Sequence, residues 1–272
     1  MITFLTVNKA GRSFLPFGNK ISVNVKTSGG LSVKHIECLY RGRKIPWSKI
    51  ERLGESETKR LLVKEDMEIP KGVALRRFYS DELKSRLCLN MATEVLKIMS
   101  DSAHKLRVAV FDPDGRIADG VGAMLRFTDK LTVVTRMIDI YSAEAQRLMD
   151  ECGAVLSVSR RMKALTEAQL IVAPLKLSSQ LPSPKEGLIF TTAQPSVNQR
   201  SAVYFKYYFD LGGELMEMLP QGFDAEYFAS ALYTLCGRFE LGSIVPQAAK
   251  GVGADHTLLS MSKYLTNIAS NP

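Results

Sequence analysis

The segment Leu106-Arg-Val-Ala-Val-Phe111, followed by the turn Asp112-Pro113-Asp114-Gly115, decides the fold of this chain. Its apolar run is typical of a buried strand, and its acidic, proline-containing part is typical of a turn. From Leu106 to Ala173 the chain then alternates between helical and strand patterns. Because a helical crossover carries the chain back between successive strands, we expect a parallel sheet with right-handed connections.

The hydrophobic pattern also predicts the bounds of each element in this region. The predicted strands are Leu106–Asp112, Leu131–Arg136, Ala154–Ser159, Leu170–Pro174 and Leu188–Thr192. The predicted helices are Ile117–Phe127, Tyr141–Cys152, which Gly153 ends, and a short one near Arg160–Glu167. Beyond them, the pattern predicts a strand at Val203–Asp210 and helices at Asp224–Cys236 and Asp255–Ile268.

Short strand patterns and one long helix come before this region. The expected elements are strands at Ile2–Val7, Lys20–Lys26, Lys34–Tyr40 and Leu61–Lys64, and a short helix at Pro46–Leu53. A helix from Ser80 to about Met99 begins with a capping hydroxyl and buries an apolar stripe. We therefore expect a strand-rich α+β N-terminal domain over residues 1–79, a connecting helix over 80–104, and an α/β domain with C-terminal helices over 105–272.

Composition favours a globular cytoplasmic protein. The chain has 272 residues, of which 46% are hydrophobic, and its mean hydropathy is −0.02. No apolar run reaches the roughly 18 residues that a membrane span needs, and Ile2–Val7 is too short for a signal peptide. The four cysteines are dispersed and contain no C-x-x-C pair, so they predict neither a zinc cluster nor a disulfide framework.

The positive charge of the chain lies in its N-terminal part. Residues 1–105 hold 20 Lys+Arg and 11 Asp+Glu, a net charge of +9, whereas residues 106–272 hold 16 and 17, a net charge of −1. The basic residues are scattered and lack a nucleic-acid-binding motif, so nucleic acid is not expected as a partner. Among them are Arg41, Arg43, Lys44, Lys59, Arg60, Arg76 and Arg77. The sequence is compatible with a homo-oligomer.

Three segments of the α/β part resemble one family. Val108-Ala-Val-Phe111, Leu131-Thr-Val-Val-Thr-Arg136 and Ala168-Gln-Leu-Ile-Val-Ala173 are similar to strands of the NAD(P)-binding domain of shikimate dehydrogenase and glutamyl-tRNA reductase. The resemblance implies the fold class α/β. It implies a Rossmann-like parallel sheet with helices on both faces, accompanied here by the smaller strand-rich α+β N-terminal domain.

The glycine motif of that family is degenerate in this chain. In the family, a G-x-G-x-x-G turn after the first strand binds the diphosphate of the cofactor. The three glycine positions fall here on Asp112, Asp114 and Ile117. Each carboxylate would repel a diphosphate by several kcal/mol at about 4 Å in a partly shielded site. We expect Asp114 or Asp119 to cap the following helix where a phosphate would otherwise bind.

A candidate ligand site is predicted at the carboxyl ends of the strands, where open parallel sheets bind ligands. Its residues are Asp112, Asp114, Gly115, Thr135, Arg136 and Pro174. Arg136 follows Asp112 by about 24 residues, and related domains that prefer NADP place an arginine there against the 2′-phosphate. The expected ligand is a small anion or a nucleotide, with NADP as a candidate cofactor.

A second resemblance covers the same turn. Asp112-Pro-Asp114-Gly115-Arg-Ile-Ala-Asp119 looks like the first motif, D-x-D-G-[T/V]-[L/I]-x-D, of the haloacid dehalogenase-like phosphatases. That likeness implies Asp112 as nucleophile and Asp114 as acid/base, with magnesium offsetting their charge. The strand ending at Pro174 brings no further carboxylate for magnesium, so no metal site is expected.

No catalytic residue is assigned, because His35, His104 and His256 stand in no catalytic motif. We interpret the chain as a Rossmann-like protein with a non-catalytic or regulatory binding role, in which the nucleotide fold serves as a scaffold. The alternatives are an NADP-dependent oxidoreductase of the shikimate-dehydrogenase type and, second, a haloacid dehalogenase-like phosphatase.

Overall fold

The structure is a computed structural model that describes residues 1–10, 19–41, 44–54 and 60–270. Arg43 and Lys59, two of the scattered basic residues, lie outside these ranges. The strands are β1 (Ile2–Lys9), β2 (Lys20–Ser28), β3 (Leu31–Tyr40), β4 (Arg60–Val63), β5 (Arg76–Arg77), β6 (Val108–Phe111), β7 (Leu131–Val134), β8 (Ser157–Ser159), β9 (Leu170–Ala173), β10 (Leu188–Thr191), β11 (Ala202–Tyr208), β12 (Ala248–Gly251) and β13 (Asp255–Thr257).

Six α-helices and four 3-10 helices complete the described elements. The α-helices are α1 (Trp47–Leu53), α2 (Glu82–Met99), α3 (Ile138–Cys152), α4 (Gly213–Met218), α5 (Ala225–Cys236) and α6 (Leu258–Ser270). The 3-10 helices are Ser100–Lys105, Ala118–Arg126, Met162–Glu167 and Phe239–Ser243. None of the helices among the described residues has the length and apolar character that a membrane crossing requires.

The chain divides into two compact units. The first unit comprises Met1–Ser80 and Leu211–Phe239, and the second comprises Asp81–Asp210 and Glu240–Pro272. The sequence predicts a different division, with α4 and α5 in the C-terminal domain. In the structure these two helices pack with the N-terminal strands β1, β2 and β4 instead. No compositional change in the sequence marks this excursion.

The first unit is built on a five-stranded sheet in the order β2-β3-β1-β4-β5. β2 and β3 form an antiparallel hairpin, and β1 pairs in parallel with β3 and β4. Successive side chains of a strand point to opposite faces of the sheet. One face carries Leu5, Ile36 and Val63, which pack with Ile50 of α1 in an apolar core. The other face is apolar at one end and polar at the other.

The second unit contains an eight-stranded sheet in the order β13-β12-β11-β10-β9-β6-β7-β8. The six strands from β11 to β8 are mutually parallel, and β12 and β13 extend the sheet in antiparallel fashion. Counted along the chain, the parallel strands have the spatial order 3-2-1-4-5-6 of the Rossmann fold. The predicted fold class is therefore confirmed: a large, mostly parallel sheet flanked by helices, and a separate strand-rich sheet.

The central strands of this sheet, β6, β7, β9 and β10, are buried because they are almost entirely apolar. Every residue of β9 and β10 is buried, as expected for parallel strands covered on both faces. α2 packs against β9 and β10 through an apolar face that includes Leu87 and Met91. The turn after β6 therefore lies at the edge of a buried and well-packed part of the sheet.

The predicted helix Ile117–Phe127 is a 3-10 helix over Ala118–Arg126. Two glycines within it, Gly120 and Gly122, disfavour a regular α-helix. They also permit close packing, since a Cβ on Gly120 would lie 2.7 Å from a methyl of Leu89, and a Cβ on Gly122 would lie 2.5 Å from a methyl of Leu148. The helix predicted near Arg160–Glu167 is likewise a 3-10 helix, Met162–Glu167.

The predicted helix Asp255–Ile268 begins three residues later than expected. Asp255–Thr257 forms β13, which pairs with β12 through Ala249 and His256. The helix α6 then begins at Leu258, where the Thr257 hydroxyl accepts a hydrogen bond from the backbone N–H of Ser260. Sheet pairing therefore displaces the helix start that the local sequence favours.

Gly187 sets the spacing of the two strands beside the fold's switch point. A Cβ on Gly187 would lie 2.8 Å from the backbone oxygen of Gln169, which accepts a hydrogen bond from the N–H of Leu188. We expect Gly187→Ala to lower the free energy of unfolding by about 1–3 kcal/mol, because a backbone atom cannot rotate away. Urea unfolding followed by circular dichroism measures this.

Gly213→Ala is the matched control for Gly187→Ala. Gly213 is the first residue of α4, and a Cβ there would meet no atom within 4 Å. The control should leave the free energy of unfolding unchanged or raise it by up to about 1 kcal/mol. Equal effects of the two substitutions would contradict the close approach at Gly187.

Candidate functional site

Asp112 is the first residue after β6, at the carboxyl edge of the parallel sheet. Its side chain is fully buried, with 0% exposure. One carboxylate oxygen, Oδ2, accepts hydrogen bonds from the backbone N–H of Ile117 at 3.0 Å and from the Tyr141 hydroxyl at 2.7 Å. Among the described residues, the other oxygen, Oδ1, has no hydrogen-bond partner. The turn after β6 is thus closed around a protein carboxylate.

Tyr141 lies in the first turn of α3, the helix that follows β7. Its ring is fully buried, so α3 brings the phenol directly beneath the turn. Burial raises the pKa of Tyr141 above its ordinary value, and the charge of Asp112 and the hydrogen bond to it raise the pKa further. Tyr141 therefore stays a protonated donor to Asp112.

The N-cap position of the 3-10 helix Ala118–Arg126 is Ile117, so neither Asp114 nor Asp119 stands at the N-cap. Asp112 receives the Ile117 N–H, whereas Asp119 forms an ion pair with Arg86. Asp114 is occupied differently, as a partner of two arginines. The prediction that Asp114 or Asp119 caps this helix was therefore wrong, and the Asp112 carboxylate instead accepts the N–H of the N-cap residue, Ile117.

Arginine side chains join the remaining residues of the predicted site. Arg136 places its guanidinium 2.9 Å from Oδ1 of Asp114. Arg116 contacts Oδ2 of Asp114 at 3.5 Å and donates to the carbonyl oxygen of Pro174 at 3.4 Å. That carbonyl also accepts from the Ser85 hydroxyl at 3.3 Å. Arg116 therefore reaches from the end of β6 to the end of β9, the switch point of the sheet.

Thr135 and Gly115 hold the backbone at this edge. The buried Thr135 hydroxyl accepts a hydrogen bond from the N–H of Met137 at 2.9 Å, immediately before α3. Gly115 has a φ of +75°, a conformation that favours glycine, and a Cβ there would lie 3.3 Å from a methyl of Ile140. Both residues shape the two turns that carry the charged side chains.

The structure brings the six predicted site residues to the strand ends, together with two partners that sequence reasoning missed. Tyr141 is visible in the sequence only as the beginning of a helix, and Arg116 only as part of the turn motif. A buried carboxylate requires hydrogen-bond donors. Because Asp112 follows a strand that is predicted to be buried, the sequence indicates that some other residue must donate to it. That requirement does not identify which donor supplies it, because Tyr141 stands 29 residues away.

The geometry at Asp112 differs from that of a phosphoryl-transfer nucleophile. A nucleophile must reach its substrate, whereas the Asp112 side chain is buried and one of its oxygens is bound by two donors. Among the described residues, no group of three or more His, Cys, Asp and Glu side chains is arranged to hold a metal ion. Asp112 is suited to organise the turn.

The sequence matches no protein-family model and no curated protein. The chain is similar to the crystal structure of L-tryptophan dehydrogenase from Nostoc punctiforme, at 12% identity and a TM-score of 0.28, over 88% of this chain and 75% of that chain. The fold of the second unit is defined by its strand order, 3-2-1-4-5-6.

Tyr141→Phe tests the hydrogen bond to Asp112. Removing the hydroxyl takes away one of the two donors to a buried carboxylate, so we expect the free energy of unfolding to fall by about 1.5–3 kcal/mol. Tyr264→Phe is the control, since Tyr264 is 40% exposed, and should change stability by less than about 0.5 kcal/mol. Equal values from urea unfolding would contradict a stabilising Tyr141–Asp112 bond.

The raised pKa of Tyr141 predicts that the free energy of unfolding falls at alkaline pH. Its folded-state pKa lies above the ordinary 10.0, so its contribution is complete below that value and falls as pH rises above it. Tyr141→Phe lacks this contribution and should lose less stability between about pH 9 and pH 11. Tyr204, whose pKa burial raises to about 12, leaves a residual slope in both proteins. Identical slopes would contradict the prediction.

Proposed function

We propose that this protein has a non-catalytic, regulatory or ligand-binding role, and that its own Asp112 carboxylate takes the place of a dinucleotide's diphosphate. The observation that carries the proposal is the pair of hydrogen bonds from the Ile117 N–H and the Tyr141 hydroxyl to the buried Asp112. In nucleotide-binding members of this fold, backbone N–H groups after the first strand bind the diphosphate. Here such a group binds a side chain instead.

Electrostatics support the same proposal. A diphosphate placed against this turn would meet the carboxylates of Asp112 and Asp114, each repelling it. The two arginines nearby, Arg116 and Arg136, already pair with Asp114. A nucleotide would compete with these exposed ion pairs and, where it displaced them, would face Asp114 without its partners. The protein's own charges thus satisfy one another where a cofactor would need an excess of positive charge.

An NADP-dependent oxidoreductase, similar to shikimate dehydrogenase, is the second candidate. The observation that favours it is the position of Arg136 two residues after the end of β7, with 77% of its side chain exposed. An arginine at this strand end is suited to a 2′-phosphate. Its pairing with Asp114 involves groups that are both well exposed, so the pair itself is weak and a phosphate would compete with it.

A haloacid dehalogenase-like phosphatase is less well supported. Asp112 would have to be the nucleophile, but it is buried and hydrogen-bonded within the turn. The strand β9 ends at Ala173-Pro174 and brings no carboxylate to this edge. The motif D-x-D-G is therefore better explained as a turn in which the first acid binds backbone and the second binds arginine.

Thermal unfolding with candidate ligands distinguishes the three functions. A cofactor at about 100 times its Kd stabilises a protein by about 2.7 kcal/mol, which a thermal shift detects readily. We expect no stabilisation by NAD, NADH, NADP or NADPH, nor by magnesium with a phosphate analogue such as orthovanadate. Stabilisation by NADP or NADPH would replace the proposal with the oxidoreductase, and stabilisation by magnesium with vanadate would replace it with the phosphatase.

Arg136→Gln and Arg126→Gln provide a matched pair for any NADP response. Arg126 is also exposed, but it lies at the end of the 3-10 helix that leads into β7, away from the carboxyl ends of the strands. If NADP does bind through the 2′-phosphate, Arg136→Gln should abolish the response and Arg126→Gln should retain it. A response that survives both substitutions would assign NADP to another surface.

A further inference from the structure

One end of the sheet in the first unit presents a polar face that the hydrophobic core does not use. The register of β1 with β3 and of β2 with β3 puts Thr6 beside Glu37, and Asn24 beside His35. Residues paired in this way share one face of a sheet. The same strands bury Leu5 and Ile36 on the opposite face. The polar residues are therefore gathered on one surface by the alternation of the strands.

This surface forms a pocket of about 750 Å³, which lies entirely within the first unit. The turn after α4 encloses it from one side. Its lining residues are Thr6, Asn8, Asn24, Lys26, Val33, His35, Glu37, Lys64, Met218, Leu219, Pro220, Gln221 and Gly222. The pocket thus combines polar and basic groups with apolar side chains.

His35 is the centre of the polar group. Its Nε2 lies 2.9 Å from the Thr6 hydroxyl, and its Nδ1 lies 3.6 Å from a carboxylate oxygen of Glu37. The rings of Phe4 and Phe223 contact the imidazole edge-on. The side chain is only 16% exposed. The imidazole is consequently fixed in orientation, with both nitrogens facing polar neighbours.

Two lysines give the pocket a positive charge. Lys26 donates one hydrogen bond to the carbonyl of Glu217 at 2.9 Å and keeps two further donors. Within the part of the chain that the structure describes, the Lys64 ammonium has neither a hydrogen-bond nor an ion-pair partner. It lies close to the turn, 3.3 Å from where a Cβ on Gly222 would stand. With Glu37 as the one acid of the lining, the lysines leave a net positive charge.

We propose that this pocket binds a small organic carboxylate, with Lys64 and the amides of Asn8 and Asn24 contacting the carboxylate and His35 sensing its charge. The ammonium supplies a charge-assisted hydrogen bond, and the amides supply further donors. Val33, Met218 and Leu219 provide the apolar surface that an organic body needs and an inorganic anion does not. This site does not rest on the role proposed for Asp112.

The charges around His35 couple carboxylate binding to its protonation. Burial lowers the pKa of His35, Glu37 opposes this by raising the pKa, and Lys26 and Lys64 lower it further. A bound carboxylate offsets the two lysines and therefore raises the pKa of His35. By linkage, the protonated protein binds the carboxylate more tightly, and the affinity falls as pH rises through the pKa of His35.

NMR of the histidine rings in the full chain tests this directly. The protein has three histidines, so the ring signals are few, and His35→Gln identifies the relevant one. The probes are 4-methylpentanoate, phenylacetate and succinate, each with its uncharged amide as control. At least one carboxylate should shift the His35 signal saturably and raise the pKa of His35. The factor by which Kd changes with pH should equal the factor given by this pKa shift.

Lys64→Gln and Lys49→Gln form the matched pair of variants. Lys49 is exposed on α1, which packs on the opposite face of the sheet. Lys64→Gln should weaken the binding of the carboxylate about tenfold or more, and Lys49→Gln should leave it unchanged. Far-ultraviolet circular dichroism checks that both variants fold.

Three results would overturn the proposal. They are the absence of a His35 response to every carboxylate probe, equal binding of the amides, and equal affinity of the two lysine variants. None of these outcomes concerns dinucleotide binding in the second unit. The carboxylate site can therefore be refuted independently of the role proposed for Asp112.

Discussion

The Asp112 carboxylate and its two hydrogen-bond donors determine the backbone path at the carboxyl edge of the parallel sheet. The Ile117 N–H fixes the path of the chain after β6, and the Tyr141 hydroxyl attaches α3 to the same oxygen. Removing the acid would leave two buried donors unsatisfied, which costs far more than a neutral replacement of the whole set. The turn is therefore stabilised by a carboxylate of the protein itself. Asp114, Arg116 and Arg136 form ion pairs on the outer side of this turn.

The sequence predicts the parallel sheet well because its central strands are buried on both faces. Short apolar runs between turn residues form β6, β7 and β9. Strands that are buried on both faces are apolar, so such runs can be recognised in the sequence. The sequence predicts the helices less well. Gly120 and Gly122 disfavour a regular α-helix, but their close approach to Leu89 and Leu148 is not visible in the local sequence pattern. α4 and α5 join the first unit for the same reason, since tertiary contacts decide their place.

The candidate site residues likewise differ in whether the sequence alone could predict their positions. Asp112, Thr135 and Pro174 follow apolar strands, so the sequence could place them at one edge of a sheet. The donor that satisfies Asp112 comes from 29 residues away, and the polar pocket of the first unit depends on the pairing of three strands. Thr6, His35 and Glu37 alternate with apolar residues, which signals a polar face. Only the register shows that they meet.

The two units differ in how their charges are partnered. At the edge of the Rossmann sheet, Arg116 and Arg136 share the exposed Asp114 and the buried Asp112 has backbone and phenol donors, so an incoming anion would compete with protein contacts. In the pocket of the first unit, Lys64 is held near the turn at Gly222 by the fold, and only Glu37 opposes the two lysines. A bound anion would supply a partner for this charge and would stabilise the folded protein by mass action. On electrostatic grounds an anionic ligand therefore fits the strand-rich unit better than the sheet whose strand order is associated with nucleotides.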